Sequence, residues 1–433
     1  MTPNLRSYTL TLTEAAEALA ERRLTSVELA AAQLTRVKVT DAAVDAWAAL
    51  DPEYVQRQAA RWDVAHHPGP LGGIGIGVKD IINTADLPTA MGSPIFADHR
   101  PSRDAVCITR LKAAGAFVFG KTVTTPFAFL DPGRTRNPWD PAHTPGGSSS
   151  GSAAAVAVGH VAAAIGTQTY GSVIRPAAYC GVVGFKPTRH AISFDGVHRF
   201  SETLDTIGTF TRTVEDAARL ASALAEPGRI AGQLTLLAKA PRFAYIGDFP
   251  WTVQDCDADD VVEAAVTQLR TRAEVVPFDI PPAWHGARDL HRIIMLFEAA
   301  RNMGELQSRE RARLTPAVNA ALDEGSRIST RAYEAARSQR ELAIAFFTQA
   351  LQGFDAVLAP SAPGPAPHGL ATTGDPSCCT LWSLLGFPAI NLPVGQVQRL
   401  PIGLQLAAPR HCDDRLLAVA AWCGARLTFR GLV

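Results

Sequence analysis

Apolar and polar positions along this chain change period several times, and each change marks an element. The stretch "LTSVELAAAQLTRVKV" places Leu24, Val27, Leu29 and Leu34 at helical spacing, with Thr25 and Glu28 set as a capping pair. "GIGIGVKDII" (73–82) alternates glycine with β-branched residues and predicts a buried strand that other backbone approaches closely. "DAVCITRLKAAGAFVFGKT" (104–122) predicts a helix ending near Gly115 and a short strand Phe117–Phe119. Ala153–Ala164 reads as a small-residue helix, followed by a turn at "GTQTYGS" and a strand in "GVVGF" (181–185). Helical periodicity returns at Val214–Leu224 and over Leu290–Leu351, where the chain is more charged. "FDAVLAPSAP" (354–363) and "PAINLPVG" (388–395) are strand-like, and "RLLAVAAWCGARL" is a last amphipathic helix. Strands and helices alternate without a clear linker or internal repeat. That pattern favours one large α/β domain over several small ones.

Composition narrows the class. The 433 residues are 47% hydrophobic and 19% charged, as in an ordinary globular protein. Forty-one Lys and Arg balance 41 Asp and Glu, which argues against a protein that wraps nucleic acid. The longest apolar run, Ala153–Ile165, is interrupted by Gly159 and His160, so no membrane span is expected. "MTPNLRSYTLTLTEAAEAL" has no basic region followed by an apolar core, and no secretory signal is expected either. Seven scattered cysteines without CxxC or zinc spacing read as reduced thiols of a cytoplasmic protein, with no metal site.

Four local patterns raise the question of chemistry. "PGGSSSGS" (145–152) has the composition of a flexible linker, yet its right flank is apolar and rich in small residues. Gly115–Thr122 satisfies the P-loop expression, but Ala, Phe, Val and Phe between its glycines belong on a strand. Pro126 and the β-branched residues after Thr122 oppose the helix that phosphate binding needs, so the match is accidental. Lys79 lies within an apolar strand and must be paired or desolvated. Asp80 is a poor partner, because neighbours on a strand point to opposite faces. Desolvation would lower the lysine pKa and make it a base, although an ordinary buried ion pair explains it as well. Ser172, in "TYGSVIRP", reads as a turn residue or as a nucleophile beside exposed backbone N–H groups. With no Gly-x-Ser-x-Gly elbow and no histidine in a triad motif, lysine is the available base.

Taken together, Lys79 in "GVKD", "TPGGSSSGSAAAVA" (144–157) and "GTQTYGSVIRPAAYCGVVGFKPT" (166–188) closely resemble the amidase signature family. "PLGGIGIGVKD", "RLKAAGAFVFGKT", "LDTIGTFTRTVEDAARL" and "LLGFPAINLPVGQVQRLPIGLQL" extend the resemblance in order. It implies a mixed, twisted β-sheet covered by helices on both faces in one domain over residues 1–433. A signature core would span about 70–220, a substrate-specifying helical region about 225–350, and residues 351–433 would complete the sheet. The resemblance further implies a Ser–Ser–Lys triad without cofactor or metal: Lys79 as base, Ser148 as bridging serine on a cis peptide, Ser172 as acyl-forming nucleophile. Backbone N–H groups of Thr169, Tyr170, Gly171 and Ser172 would receive the oxyanion, each donor worth about 3 kcal/mol of barrier. The buried "PGGSSSGS" would then be an active-site loop, its glycines allowing close approach.

The implied function is hydrolysis of a small-molecule carboxylic amide, without nucleic acid or membrane as partner and with a homodimer allowed for. An amidase-type subunit of a tRNA-dependent amidotransferase, needing partner chains, is one alternative; a catalytically inactive scaffold is another. Departures from the family's commonest form are Gln168 for Asp, Tyr170 for Gly, and Ile174 for Arg, with Arg175 one place later; Pro126 stands where an acid is common. Gln168 and Ile174 together are expected to replace a structural ion pair, since losing both charges is cheaper than stranding one. Phe127, Phe129, Trp139, Met295 and Phe297 are candidates to line an acyl pocket, although core packing explains each of them as well; a small or medium, mostly apolar acyl group is expected.

Overall fold

The computed structural model describes residues 6–65 and 69–433; the first five residues of the stretch read for a secretory signal lie outside the described residues. Helices α1 (Leu12–Ala20), α2 (Ser26–Val44) and α3 (Pro52–Ala65) open the chain, with strand β1 (Trp47–Ala49) between the last two. The capping pair holds: the Glu28 N–H donates to the Thr25 hydroxyl, and the Thr25 N–H donates back to the Glu28 carboxylate at 2.9 Å. Then come β2 (Gly75–Lys79), α4 (Val106–Ala113), β3 (Phe117–Thr122), α5 (Ser150–Ala157), β4 (Ala163–Gln168) and α6 (Ile174–Cys180). β5 (Val183–Lys186), β6 (Thr206–Thr211), α7 (Val214–Leu224), β7 (Arg242–Tyr245), α8 (Cys256–Arg270) and β8 (Glu274–Pro277) follow. The predicted helical stretch 290–351 is three helices: α9 (Ala287–Glu310), α10 (Pro316–Arg327) and α11 (Thr330–Ala350). The chain closes through β9 (Ala356–Pro360), α12 (Thr380–Leu385), β10 (Ala389–Val397), β11 (Leu400–Ala407) and α13 (Asp413–Gly424).

The eleven strands form one mixed sheet in the order β1-β3-β2-β4-β6-β5-β10-β11-β9-β7-β8, flanked by helices. β3, β2 and β4 run parallel, as do β9, β7 and β8, while the centre from β4 to β9 is antiparallel. Alternate residues on one strand enter different cores. Leu358 on β9, Ile390 on β10 and Leu406 on β11 join an apolar cluster with α2, α5, α7 and α13. Their neighbours Val357, Ala389 and Ala407 join a second cluster with α9, α10, α11 and α12. Side chains of successive strand residues point to opposite faces, so the two clusters cover the two sides of the sheet. This is the single α/β domain that the alternation of elements predicts.

Two expectations change. The small-residue helix stops at Ala157 instead of Ala164, and Ala163–Gln168 is a central strand. Every residue of β4 is buried, so no polar alternation marks it in the sequence. The stretch 225–350 is not purely helical, because it supplies β7 and β8 to one edge of the sheet. The P-loop match fails as expected: Phe117–Thr122 is strand throughout, and the turn that follows is a short 3-10 segment at Pro126–Ala128. All seven cysteines are free, and no described helix is long and apolar enough to cross a membrane.

Candidate active site

Lys79 ends β2 fully buried, and β2 places it beside β4. Its Nζ lies 2.7 Å from Ser148 Oγ and 2.9 Å from Thr167 Oγ1 on β4. The adjacent Asp80 turns away, as strand geometry requires, and pairs with Lys121 at 3.3 Å. The buried ion pair of this region is therefore Lys121–Asp80, and Lys79 has no carboxylate within 4 Å among the described residues. Burial pushes the Lys79 pKa well below its ordinary value; the charge of Asp205 opposes this only in part.

Ser148 lies in the loop before α5, where the Gly147–Ser148 peptide is cis. This loop is pressed into the core at two glycines. A Cβ on Gly166 would stand 2.6 Å from Ser149 Oγ, and Gly146 combines φ +79° with a would-be Cβ 2.8 Å from the backbone of Pro176. Ser149 Oγ donates to Thr167 O at 3.2 Å and accepts from Thr167 N at 3.3 Å. The "linker" composition is thus the composition of a buried loop tied edge-on to a strand.

Ser172 lies between β4 and α6 and opens onto a cavity of about 140 Å³. Thr169 and Tyr170 line the same cavity; Gly171 packs against Pro376, where a Cβ would stand 2.9 Å from its ring. A wider hollow of about 510 Å³, between Thr11, Arg212 and the C-terminal segment, holds none of these residues. Chemistry, not size, selects the smaller one.

The carbonyls of the 169–172 loop are anchored from outside it. His291 on α9 donates from Nε2 to Thr169 O at 3.0 Å, and Ser383 on α12 donates to Tyr170 O at 2.5 Å. Burial lowers the His291 pKa to about 4, so the ring is neutral and its single proton makes that bond. In a trans peptide the N–H opposes the C=O, so the Tyr170 N–H points away from His291 and the Gly171 N–H away from Ser383. The Thr169 hydroxyl donates to Asp205 at 2.6 Å; Asp205 also accepts from Phe200 and Ser201 N–H, and burial raises its pKa to about 6. Tyr170 stacks on His291 with ring centroids 4.2 Å apart.

Gln168 behaves as the structural element expected. It is 1% exposed; its Oε1 accepts from Val173 and Ile174 N–H at 2.8 and 3.0 Å, and its Nε2 donates to Ser383 Oγ at 3.0 Å. It caps the start of α6 and does not line the cavity. Arg175 is 2% exposed and donates to Gly147 O at 2.7 Å, Gly374 O at 2.6 Å and Thr373 Oγ1 at 3.2 Å. Pro126 starts the 3-10 turn after β3, and nothing in the structure explains why it replaces an acid.

Of the five apolar candidates, Phe129 and Met295 line the cavity. Phe127 is buried between Phe96 and His198, Trp139 packs on Phe429 and donates to Cys180 O, and Phe297 stacks on Tyr333. Aromatic identity alone does not distinguish a cavity wall from a core. Four further residues of the site, Thr167, Asp205, His291 and Ser383, are absent from the candidates above. Thr167 and Asp205 lie within the matching motifs, but nothing local marks His291 or Ser383.

A family model described as Amidase matches residues 28–417, and the chain belongs to this amidase signature family. The glutamyl-tRNA(Gln) amidotransferase A subunit of Roseiflexus castenholzii is 34% identical, over 95% of this chain and 94% of that relative. A crystal structure of an amidase superposes with TM-score 0.89 at 31% identity, over 97% of this chain and 100% of the other. The peptide amidase of Stenotrophomonas maltophilia superposes with TM-score 0.83 at 28% identity, over 98% of each chain.

Proposed function

We propose that this enzyme hydrolyses a small carboxylic amide through an acyl-enzyme on Ser172. The observation that carries the reading is a buried lysine with no acid partner, 2.7 Å from Ser148, in a chain whose Ser172 lines a cavity. Neutral Lys79 accepts the Ser148 proton as Ser148 accepts that of Ser172, whose Oγ attacks the amide carbonyl. The second N–H of the amine keeps Nζ oriented on Thr167. Backbone N–H groups of residues 169–172 receive the oxyanion, with the peptides that carry the Tyr170 and Gly171 N–H groups held by their anchored carbonyls. On collapse the relay reverses, the leaving nitrogen takes the proton, and water then frees the acid.

A second reading has support of its own, since curated relatives at 31–34% identity are amidotransferase A subunits. In it the same acyl chemistry would release ammonia to partner chains. Both readings place the protein in the cytoplasm; a homodimer belongs to the first. Intact-mass analysis after treatment with an alkyl fluorophosphonate tests the shared step. One adduct on the wild type, absent from Ser172→Ala, is expected. An unlabelled wild type, or equal labelling of both, refutes the acyl-enzyme. Ammonia release from amides by the chain alone then separates a free-standing hydrolase from one that is silent without partners.

A further inference from the structure

The cavity beside Ser172 has an unbalanced charge. Arg175, Arg288 and Arg292 contribute to its lining, and no Asp or Glu does among the described residues. Arg292 is neutralised by Glu324, its Nε lying 2.8 Å from one carboxylate oxygen. The other two are not. Arg288, at the start of α9, has no carboxylate within 4 Å; its bond to Trp251 O is long, at 3.4 Å, and it otherwise acts on the neutral Tyr170 hydroxyl. Arg175 is more telling, since it is almost wholly buried and bonded only to neutral oxygens, with Nε left without a partner. Asp375 acts on it only from beyond ion-pair distance and is itself exposed.

A buried guanidinium without a counter-ion is costly, by several kcal/mol, unless something anionic comes to lie near it. The remaining wall is apolar: Phe129 stacked on Phe200 at 5.0 Å, with Met295 and Pro376. The site thus offers a short apolar slot with Ser172 on its wall and, at Arg288, a guanidinium fork without an anionic partner. Forked N–H groups match the two oxygens of a carboxylate better than any neutral acceptor.

We propose that the amide taken by this site carries a free carboxylate, received by Arg288 and favoured by the uncompensated charge of Arg175. Calling the ligand an amide rests on the acyl-enzyme reading; the charge argument stands apart from it. The substrate class is then the small half-amide of a dicarboxylic acid, in place of the mostly apolar acyl group expected from the sequence.

Calorimetric titration of the Ser172→Ala variant, which cannot turn substrate over, tests this with matched pairs: succinamate against butyramide, and 2-carbamoylbenzoate against benzamide. The charged member of each pair is expected to bind about tenfold tighter or better at low salt. That advantage shrinks in about 0.5 M salt, because Arg288 is exposed and screened. In Ser172→Ala/Arg288→Gln the affinity ratio falls toward one. Equal or weaker binding of the charged members, no measurable binding of them, or a ratio unmoved by Arg288→Gln overturns the proposal. Fluorophosphonate labelling of the wild type reports separately. Labelling without a carboxylate preference sinks only the substrate class, and a preference without labelling sinks only the acyl-enzyme.

Discussion

The chemistry of Lys79 depends on what is missing around it. An ammonium paired with a carboxylate would hold its proton and serve no serine. Here Asp80 is committed to Lys121, and burial lowers the Lys79 pKa well below 10.5. In the proposed mechanism the neutral form is the base, so labelling of Ser172 should accelerate as pH rises through that lowered pKa and then level off. Lys79→Gln should slow labelling by about 10²–10⁴-fold and remove the inflection. An inflection near the ordinary lysine value would contradict a neutral base. Gln168 makes the complementary point, for one carboxamide satisfies two backbone N–H groups and one hydroxyl without any charge. Gln168→Leu strands the two backbone N–H groups, at about 1–3 kcal/mol for each buried group left unpaired, while Ser383 keeps its bond to Tyr170 O. Denaturant unfolding should show that loss; a midpoint unchanged from wild type would mean the capping is dispensable.

At the scale of elements, the loop between β4 and α6 is shaped by helices far from it in sequence. α9 brings His291 to Thr169 O, and α12 brings Ser383 to Tyr170 O. His291→Leu should let the Thr169–Tyr170 peptide turn and misplace one of the proposed oxyanion donors. The expected effect is a slowing of acylation by about 10-fold or more, up to the roughly 10²–10³-fold cost of removing one donor outright. Substrate affinity, measured on the Ser172→Ala background, should change little, because His291 does not line the cavity. Equal losses in affinity and rate would instead point to collapse of the pocket. The sequence is legible here in part only. Lys79, Ser148 and Ser172 are marked by motifs, because glycines and serines in that order serve little else. β4 is hidden because burial on both faces erases its period. His291 and Arg288 are two of many polar residues on a long helix, with no motif to mark them.

Across the whole molecule, three fully buried lysines make stability depend on pH. Burial holds Lys79 well below its ordinary value, Lys121 at about 8 and Lys186 at about 7, whereas each returns to about 10.5 when unfolded. Above those lowered values unfolding takes up protons, so stability rises with pH, by at most about 1.4 kcal/mol per pH unit for each lysine. Approaching pH 9 the buried cysteines act oppositely: Cys107, Cys180 and Cys423 resist ionising when folded but ionise when unfolded. Lys186→Met should therefore flatten the rise between about pH 7.5 and 8.5 by roughly one lysine's share. Denaturant midpoints across that interval check it, and an undiminished slope in the variant would refute the assignment.

The order of residues settles the local content of this protein: caps such as Thr25 with Glu28, the glycine–serine loop, the alternation that predicts an α/β domain, and the motifs that identify the family. These are legible because each depends on residues close together in the chain, through backbone sterics, capping bonds and burial period. Packing settles which lysine is paired, which carbonyls are anchored, and which aromatic residues face the cavity. It also sets Arg175 and Arg288 around one cavity with Ser172, although 113 positions separate the two arginines. The physical reason is that pairing, desolvation and charge balance act through space. A residue's own segment fixes which groups it carries, and the packing of β4, α6, α9 and α12 fixes what those groups meet.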